Sequence, residues 1–305
     1  MGREAGGAIG GSILEFTCNV CGAANRRAAG FDREQPSCAA CGSNVRMRAL
    51  LRALSLELFG TELAAPEFPR VKSLRGLGTS DSAQYADTLA AKFDYRNTFY
   101  DREPRFDIAR ADEREFGRHD FVLSSEVLEH VAPPVETALS NARRLLKDSG
   151  VLLLTVPYSL EATTAEHFPE LHEYGVARVG ERLVLVNRTR GGETQVFEDL
   201  VFHVSFGDPA LEVREFSESE LVLLLRAAGF AEVRIYSEEY APFGILHAEA
   251  CSFPIAARKG PFAMGREAAR DVVEQWRDVR QTHDRQMQRL GQSYWFRVGR
   301  KLGLY

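Results

Sequence analysis

Two sets of residues in this sequence could do chemistry of their own. The first is a pair of Cys-x2-Cys knuckles, Cys18/Cys21 and Cys38/Cys41. A knuckle lets two thiolates reach one ion, and two knuckles complete the tetrahedral four-sulfur set that Zn²⁺ prefers. Glycine follows each second cysteine, at Gly22 and Gly42, where such a turn needs positive φ. A closed four-thiolate site has no open coordination position, so this metal would be structural. Buried free thiols or disulfides are the alternatives. Four of the five cysteines lie in knuckles, which in a reducing compartment favours metal. The second set is an apolar strand running into acidic and imidazole side chains, Phe121-Val122-Leu123-Ser124-Ser125-Glu126-Val127-Leu128-Glu129-His130. Its carboxylates and imidazole could bind a polar ligand or move a proton.

The elements that must position these residues alternate. A helical pattern through Met47, Leu50, Leu51, Leu54 and Leu58 ends at a break marked by Pro66 and Pro69. A short strand near Val71–Leu74 leads into the loop Arg75–Ser82, and a helix follows through Tyr85, Ala86, Leu89 and Ala90. Strands near Tyr95–Tyr100 and Phe121–Ser124, a helix over Val135–Leu146 and a strand over Gly150–Val156 complete the run. This order predicts a parallel, doubly wound Rossmann-like α/β sheet, with ligands at the carboxyl ends of its strands. Gly76 and Gly78 fall at the end of the first strand, where a missing side chain lets a cofactor approach the backbone.

Phe121–Val156 resembles the class I S-adenosylmethionine-dependent methyltransferases. Asp120–Val131 looks like their fourth strand and following loop, and Ala142–Pro157 like the next helix and fifth strand. Phe216–Val233 looks like the final helix and sixth strand. Cys251–Ala257 would be an antiparallel seventh, giving a seven-stranded sheet over about residues 70–260. The resemblance implies S-adenosylmethionine as cofactor. Gly76, Gly78, Thr79 and Asp81 would line the first loop, although the family's preceding acid and third glycine are here Leu74 and Ser80. Asp101 would hold the ribose hydroxyls, Asp107 or its competitor Asp112 the adenine amine, and Ser125 and Glu126 would flank the methyl group. Each of these acids could equally be a solvated loop carboxylate. Ser217 and Glu220 read as a capping box and Gly229 as a helix stop.

For a hydroxyl acceptor a base helps. His130 is placed for it, and could equally cap its loop or pack on the cofactor; His167, His172 and His203 are rival bases. The long stretch 158–213, with a hairpin of Arg182–Asn187 and Gln195–Phe202 turned at Arg190-Gly191-Gly192, reads as an acceptor-side insertion carrying His167, His172, Tyr174 and His203. A dimer-forming or edge-covering hairpin is the alternative. From Arg266 a basic amphipathic helix carries Val272, Trp276, Val279, His283, Gln286 and Leu290 on one stripe.

The organisation is therefore a zinc ribbon (1–45), a linking helix (46–69), the methyltransferase domain (70–260) and a helical tail (261–305). With 305 residues, 45% hydrophobic and 27% charged, the composition describes a soluble globular protein. No apolar run reaches the length of a bilayer span and no secretory signal is evident, so a cytoplasmic location is expected. The net charge of −5 and pI near 5.9 argue against a nucleic-acid backbone as main partner. The tail ending Tyr294–Leu304 resembles tails of bacterial methyltransferases near glycan assembly, which points to a small-molecule or saccharide hydroxyl as acceptor. A homodimer through the tail helix or the hairpin is the expected protein contact. Two rival readings stand beside this one. Arg26, Arg27, Arg46, Arg48 and Arg52 crowd the ribbon, as an RNA methyltransferase would require, and the altered glycine loop would suit a non-catalytic scaffold.

Overall fold

The computed structural model describes residues 13–205, 208–261 and 264–292. Its ribbon pairs β1 (Ile13–Thr17) with β2 (Ala24–Ala28) in antiparallel register. Helix α1 (Val45–Phe59) starts where the Asn44 side chain accepts from the Met47 amide, and ends at Gly60 with φ 71°. Then come β3 (Val71–Thr79), α2 (Ala83–Lys92), β4 (Phe93–Thr98), β5 (His119–Ser125), α3 (Val135–Leu145) and β6 (Leu146–Thr155). In α3, Val135, Ala138, Leu139, Ala142 and Leu145 are buried, the spacing of one helix face. In β6, Val151 to Leu154 are buried on both faces, as a central parallel strand requires.

The insertion holds β7 (Tyr158–Ser159), β8 (Ala165–Glu166), β9 (Glu173–Val179), β10 (Arg182–Arg188), β11 (Thr194–Phe197), β12 (Phe202–Ser205) and β13 (Asp208–Leu211). The chain returns through β14 (Arg214–Ser217), α4 (Glu218–Ala227), β15 (Glu232–Ile235), β16 (Ile255–Arg258) and α5 (Arg266–Gln292). The central sheet runs β15-β16-β6-β5-β3-β4, with β3, β4, β5 and β6 parallel and β16 antiparallel to both neighbours. The α/β sheet and its antiparallel late strand match expectation.

Several details differ. Among the described residues the sheet has six strands rather than seven, because Phe99–Arg118 folds into 3-10 turns at Ile108–Arg110 and Glu113–Glu115. Strand β3 continues to Thr79, so Gly76 and Gly78 lie within it and not in a loop. Ser217 makes no cap bond; its hydroxyl donates to the Glu161 carbonyl, and Glu220 accepts from the Thr164 amide. Gly229 does stop α4, at φ 94°. The hairpin forms, with Asn187 opposite Gln195, but its second strand ends at Phe197. Tyr294–Leu304 and the side chains of His203, His283 and Leu290 lie outside the described residues.

Hydrophobic packing divides about the sheet. On one face a continuous core joins ribbon residues Phe16, Cys18, Val20 and Phe31 to α1, α2 and the sheet residues Phe93, Phe121 and Leu153. On the other, α3 and α4 pack on Leu77, Val122, Leu152 and Leu154. The insertion keeps a small core of its own around Phe168, Leu171, Leu185 and Val213. Helix α5 docks through Ala268 and Val272, while Trp276 and Val279 remain 59% and 67% exposed. No helix among the described residues is long and apolar enough to cross a membrane.

Candidate active site at the carboxyl edge of the sheet

The four cysteine sulfurs converge, all within 4.8 Å of one another. Each knuckle closes on its glycine: the Gly22 amide donates to the Cys18 carbonyl at 2.7 Å and the Gly42 amide to Cys38 at 2.9 Å. Both glycines have positive φ, as the sequence required. Asn25 Nδ2 donates to Cys38 Sγ at 3.5 Å. Fully buried Arg48 lies next to this cluster. It donates to the Ser43 carbonyl, Ser37 Oγ and the Gly244 carbonyl, and stacks over the Phe16 ring. Burial lowers its pKa and the charge of Cys18, Cys38 and Cys41 raises it. A buried cation among thiolates is what a doubly negative four-sulfur metal centre needs for balance.

Above the ends of β3, β5 and β6 lies a buried polar network. Glu126 has φ 56°, a left-handed conformation uncommon outside glycine, asparagine and aspartate. Its carboxylate accepts from Arg33 at 2.8 and 3.1 Å, with Arg46 Nε at 3.7 Å. Burial would raise its pKa, but the Arg33 and Arg46 guanidiniums hold it down at about 2. Arg46 also donates to Ser125 Oγ at 2.6 Å and to both oxygens of Glu34, and Ser125 Oγ meets Thr155 Oγ1 at 2.9 Å. Asp81 is buried and accepts from the hydroxyls of Tyr85 and Tyr95; burial pushes its pKa up to about 6 despite those bonds.

These contacts revise the cofactor reading. A Cβ on Gly76 would stand 2.2 Å from the Phe121 ring, and one on Gly78 2.0 Å from the Tyr95 hydroxyl and 2.3 Å from Asp81. The glycines make room for the protein's own side chains rather than baring backbone to a ligand. Thr79 Oγ1 donates to the Leu123 carbonyl. Ser80, at the family's third glycine, does adopt the left-handed conformation that a glycine would take, φ 61°. As arranged, the polar groups of this side are taken up within the protein: Glu126 by Arg33, Ser125 by Arg46, and Asp81 by Tyr85 and Tyr95. The other side is open: Asp101 is exposed, and half-buried Asp107 caps a 3-10 turn and shares its surroundings with Tyr100 and Tyr174. Asp112 caps the next turn and pairs with Arg114.

His130 sits on the turn after β5. Its Nδ1 lies 2.8 Å from the Leu211 carbonyl, which can only accept, so Nδ1 carries the proton and Nε2 is the basic nitrogen. Nε2 is 3.7 Å from Glu129, a fully buried carboxyl whose pKa is raised by burial and by the charge of Glu126. The insertion fixes this turn: the Val213 amide donates to the Glu129 carbonyl, and Arg214 donates to the carbonyls of Leu128 and Val131. His167 does not join His130. It bonds Glu212 at 3.0 Å, the residue that follows β13. His172 is exposed. Sequence reasoning missed Arg33, Arg46 as a site residue, and Glu129. Glu129 was legible as the neighbour of His130, whereas nothing local marks an arginine in a ribbon as the partner of Glu126.

A profile of the methyltransferase-domain family matches residues 10–235. The chain belongs to this family. The match supports the class I S-adenosylmethionine-dependent assignment that Asp120–Val131 suggested. No curated protein matches the chain. Among solved structures, the Burkholderia thailandensis 1,6-didemethyltoxoflavin-N1-methyltransferase is 19% identical over 77% of this chain and 95% of its own, with a TM-score of 0.36. The sugar N-methyltransferase KedS8 from Streptoalloteichus is 12% identical over 72% of this chain and 89% of its own, at 0.41. A Clostridium acetobutylicum S-adenosylmethionine-dependent methyltransferase is 12% identical over 61% and 82%, at 0.35. At such scores these likenesses carry nothing about substrate.

Proposed function

We propose that this chain transfers a methyl group from S-adenosylmethionine to a hydroxyl of a small molecule or saccharide, and that its four cysteines hold a structural zinc ion. The observation that carries the hydroxyl reading is the His130 ring. The Leu211 carbonyl accepts from Nδ1 and orients the ring, with Nε2 3.7 Å from Glu129, at the carboxyl edge of the sheet. A hydroxyl is a poor nucleophile until it loses its proton, which is the one step a neutral imidazole there would serve. The insertion that supplies Leu211, Val213 and Arg214 would form the acceptor wall. The convergence of four sulfurs beside the buried guanidinium of Arg48 supports zinc.

The test is incubation with methyl-labelled S-adenosylmethionine and fractionated small-molecule and saccharide pools. Label in an ether that survives base, lost with His130→Ala, is the expected result. Label found only on amines, or transfer untouched by H130A, would retire the hydroxyl reading. Stoichiometric zinc by elemental analysis checks the ribbon, and metal-free purified chain would refute it.

The RNA reading loses its main support in the ribbon. Of its five arginines, Arg46 and Arg48 are buried and the Arg52 side chain is 11% exposed, which leaves Arg26 and Arg27 outward. The non-catalytic reading is favoured by one observation, the side chains packed against Gly76 and Gly78. Binding of S-adenosylhomocysteine separates it from the enzyme.

A further inference from the structure

The obstacle over the cofactor edge comes from the ribbon. Between β2 and the second knuckle, Phe31 and Ser37 are buried while Asp32 and Glu34 to Pro36 are exposed, and the middle of this strap is held by polar bonds alone, the Arg33 carbonyl accepting from the Arg46 amide and Glu34 from Asn44 and Arg46. Arg33 is half-buried and points inward from the middle. Its guanidinium reaches the Ser252 carbonyl at 3.0 Å and Glu126 at 2.8 and 3.1 Å. Gly30, at the base of the strap, has φ 92° and nothing within 4 Å of the position a Cβ would take.

We infer that the Phe31–Ser37 strap is a latch on the cofactor edge, and that Arg33 must leave Glu126 before S-adenosylmethionine can enter. This rests on the cofactor reading above. Four features make the contact separable. Between the buried ends Phe31 and Ser37 the strap is exposed at Asp32 and Glu34 to Pro36, so its middle can lift while Phe31 stays in the core. Its base turns on a glycine in a conformation open to rearrangement. Arg46 stays 3.7 Å from Glu126, anchored in α1, so the carboxylate is not left without a cation when Arg33 departs. Glu126 is itself in a left-handed conformation, which surrounding contacts must hold. The ion pair persists across physiological pH, since the two guanidiniums keep Glu126 charged against the effect of burial. The latch therefore answers to a ligand rather than to protons. Arg33 is a gating residue in this account and takes no part in methyl transfer.

The experiment compares S-adenosylhomocysteine binding by calorimetry for the wild-type chain and Arg33→Gln, and follows hydrogen exchange of the wild type with and without the ligand. Removing the latch is expected to tighten binding about tenfold, the effect of one charge-assisted contact. In the wild type, the ligand should speed exchange of strap amides 31–37 while slowing exchange over 71–82. That opposite sign is what a wall residue would not give, because a ligand pressing on a fixed wall protects it. Equal or weaker binding by R33Q, or protection of the strap, overturns the latch and leaves the methyltransferase reading standing. Binding by neither protein removes the cofactor reading and the latch with it. Should R33Q fail to fold, the exchange experiment on the wild type decides alone.

Discussion

The ribbon and the insertion both stand on the carboxyl edge of the sheet, yet they are held in different ways. The ribbon shares a core with the sheet: Phe16, Val20 and Phe31 pack in one cluster with Phe93, Phe121 and Leu153. It is also tied by Arg48 to Gly244 and by Gln84 Nε2 to the Cys41 carbonyl. The insertion keeps a core of its own around four buried residues, joins the sheet's core through Tyr158, and with Arg214 of β14 bonds the Leu128–Val131 turn. A small satellite core opens at lower free energy than the main one. The ribbon is thus part of the domain's stability, whereas the insertion is the region that opens more readily. The latch is an exception within the rigid part, since its middle lies outside the shared core.

The comparison can be broken at the proposed zinc site first. Cys38→Ser should cost about 4–5 kcal/mol, as loss of a metal site does, and should lower the unfolding midpoint of the whole chain. A midpoint within a degree or two of wild type would show the ribbon to be a detachable module. Arg48→Met tests the same tie without touching a sulfur. It strands the Ser43 and Gly244 carbonyls and unbalances the thiolates, for an expected loss of about 3 kcal/mol.

On the insertion side, Leu185→Ala empties a fully buried position in the satellite core, at a cost of roughly 2–4 kcal/mol. The loss should appear as faster amide exchange within residues 165–213 while β3, β5 and β6 keep their protection. Uniform loosening of both would merge the two regions into one cooperative unit.

A smaller effect concerns the interlocked edge. The folded-state pKa of Asp81, about 6, lies above the ordinary value of 3.8 because its carboxylate is buried. Its contribution is therefore greatest below about 3.8 and is lost as pH rises through about 6. The stability difference between wild type and Asp81→Asn should shift in favour of the mutant between pH 4 and pH 7 by about 1–2 kcal/mol. A difference independent of pH would mean that the carboxyl is not held in its acid form. The least effect is expected at the exposed helix stripe. Trp276→Ser should change monomer stability by no more than about 0.5 kcal/mol. If α5 is a dimer seam, the mass by light scattering will fall to that of the monomer; an unchanged mass removes the helix as the interface.

Much of this was legible in the chain because it depends on local rules. Cys-x2-Cys-Gly dictates a knuckle, since the glycine amide must turn back to the first cysteine's carbonyl with positive φ. The Gly229 stop and the helix before β6 follow from local sequence. Phe121–His130 identified both the strand and the basic turn. Gly76 and Gly78 lie inside β3 rather than in the loop expected of them. A glycine reports only that something comes close, and here the neighbours are Phe121 and Tyr95 from adjacent strands. His167 was chosen for its residue type, but its partner Glu212 lies 45 residues on.

What the sequence settled by itself, then, is chemistry set by neighbours along the chain: the four-sulfur cluster, the strand-helix alternation and the histidine after β5. What only the tertiary structure decided is which distant groups share one small volume. Arg33 meets Glu126 across 93 residues, and Arg48 meets Gly244 across 196. Such pairings carry no periodicity to read. They exist because a buried charge must find a partner, and the fold determines which one is near.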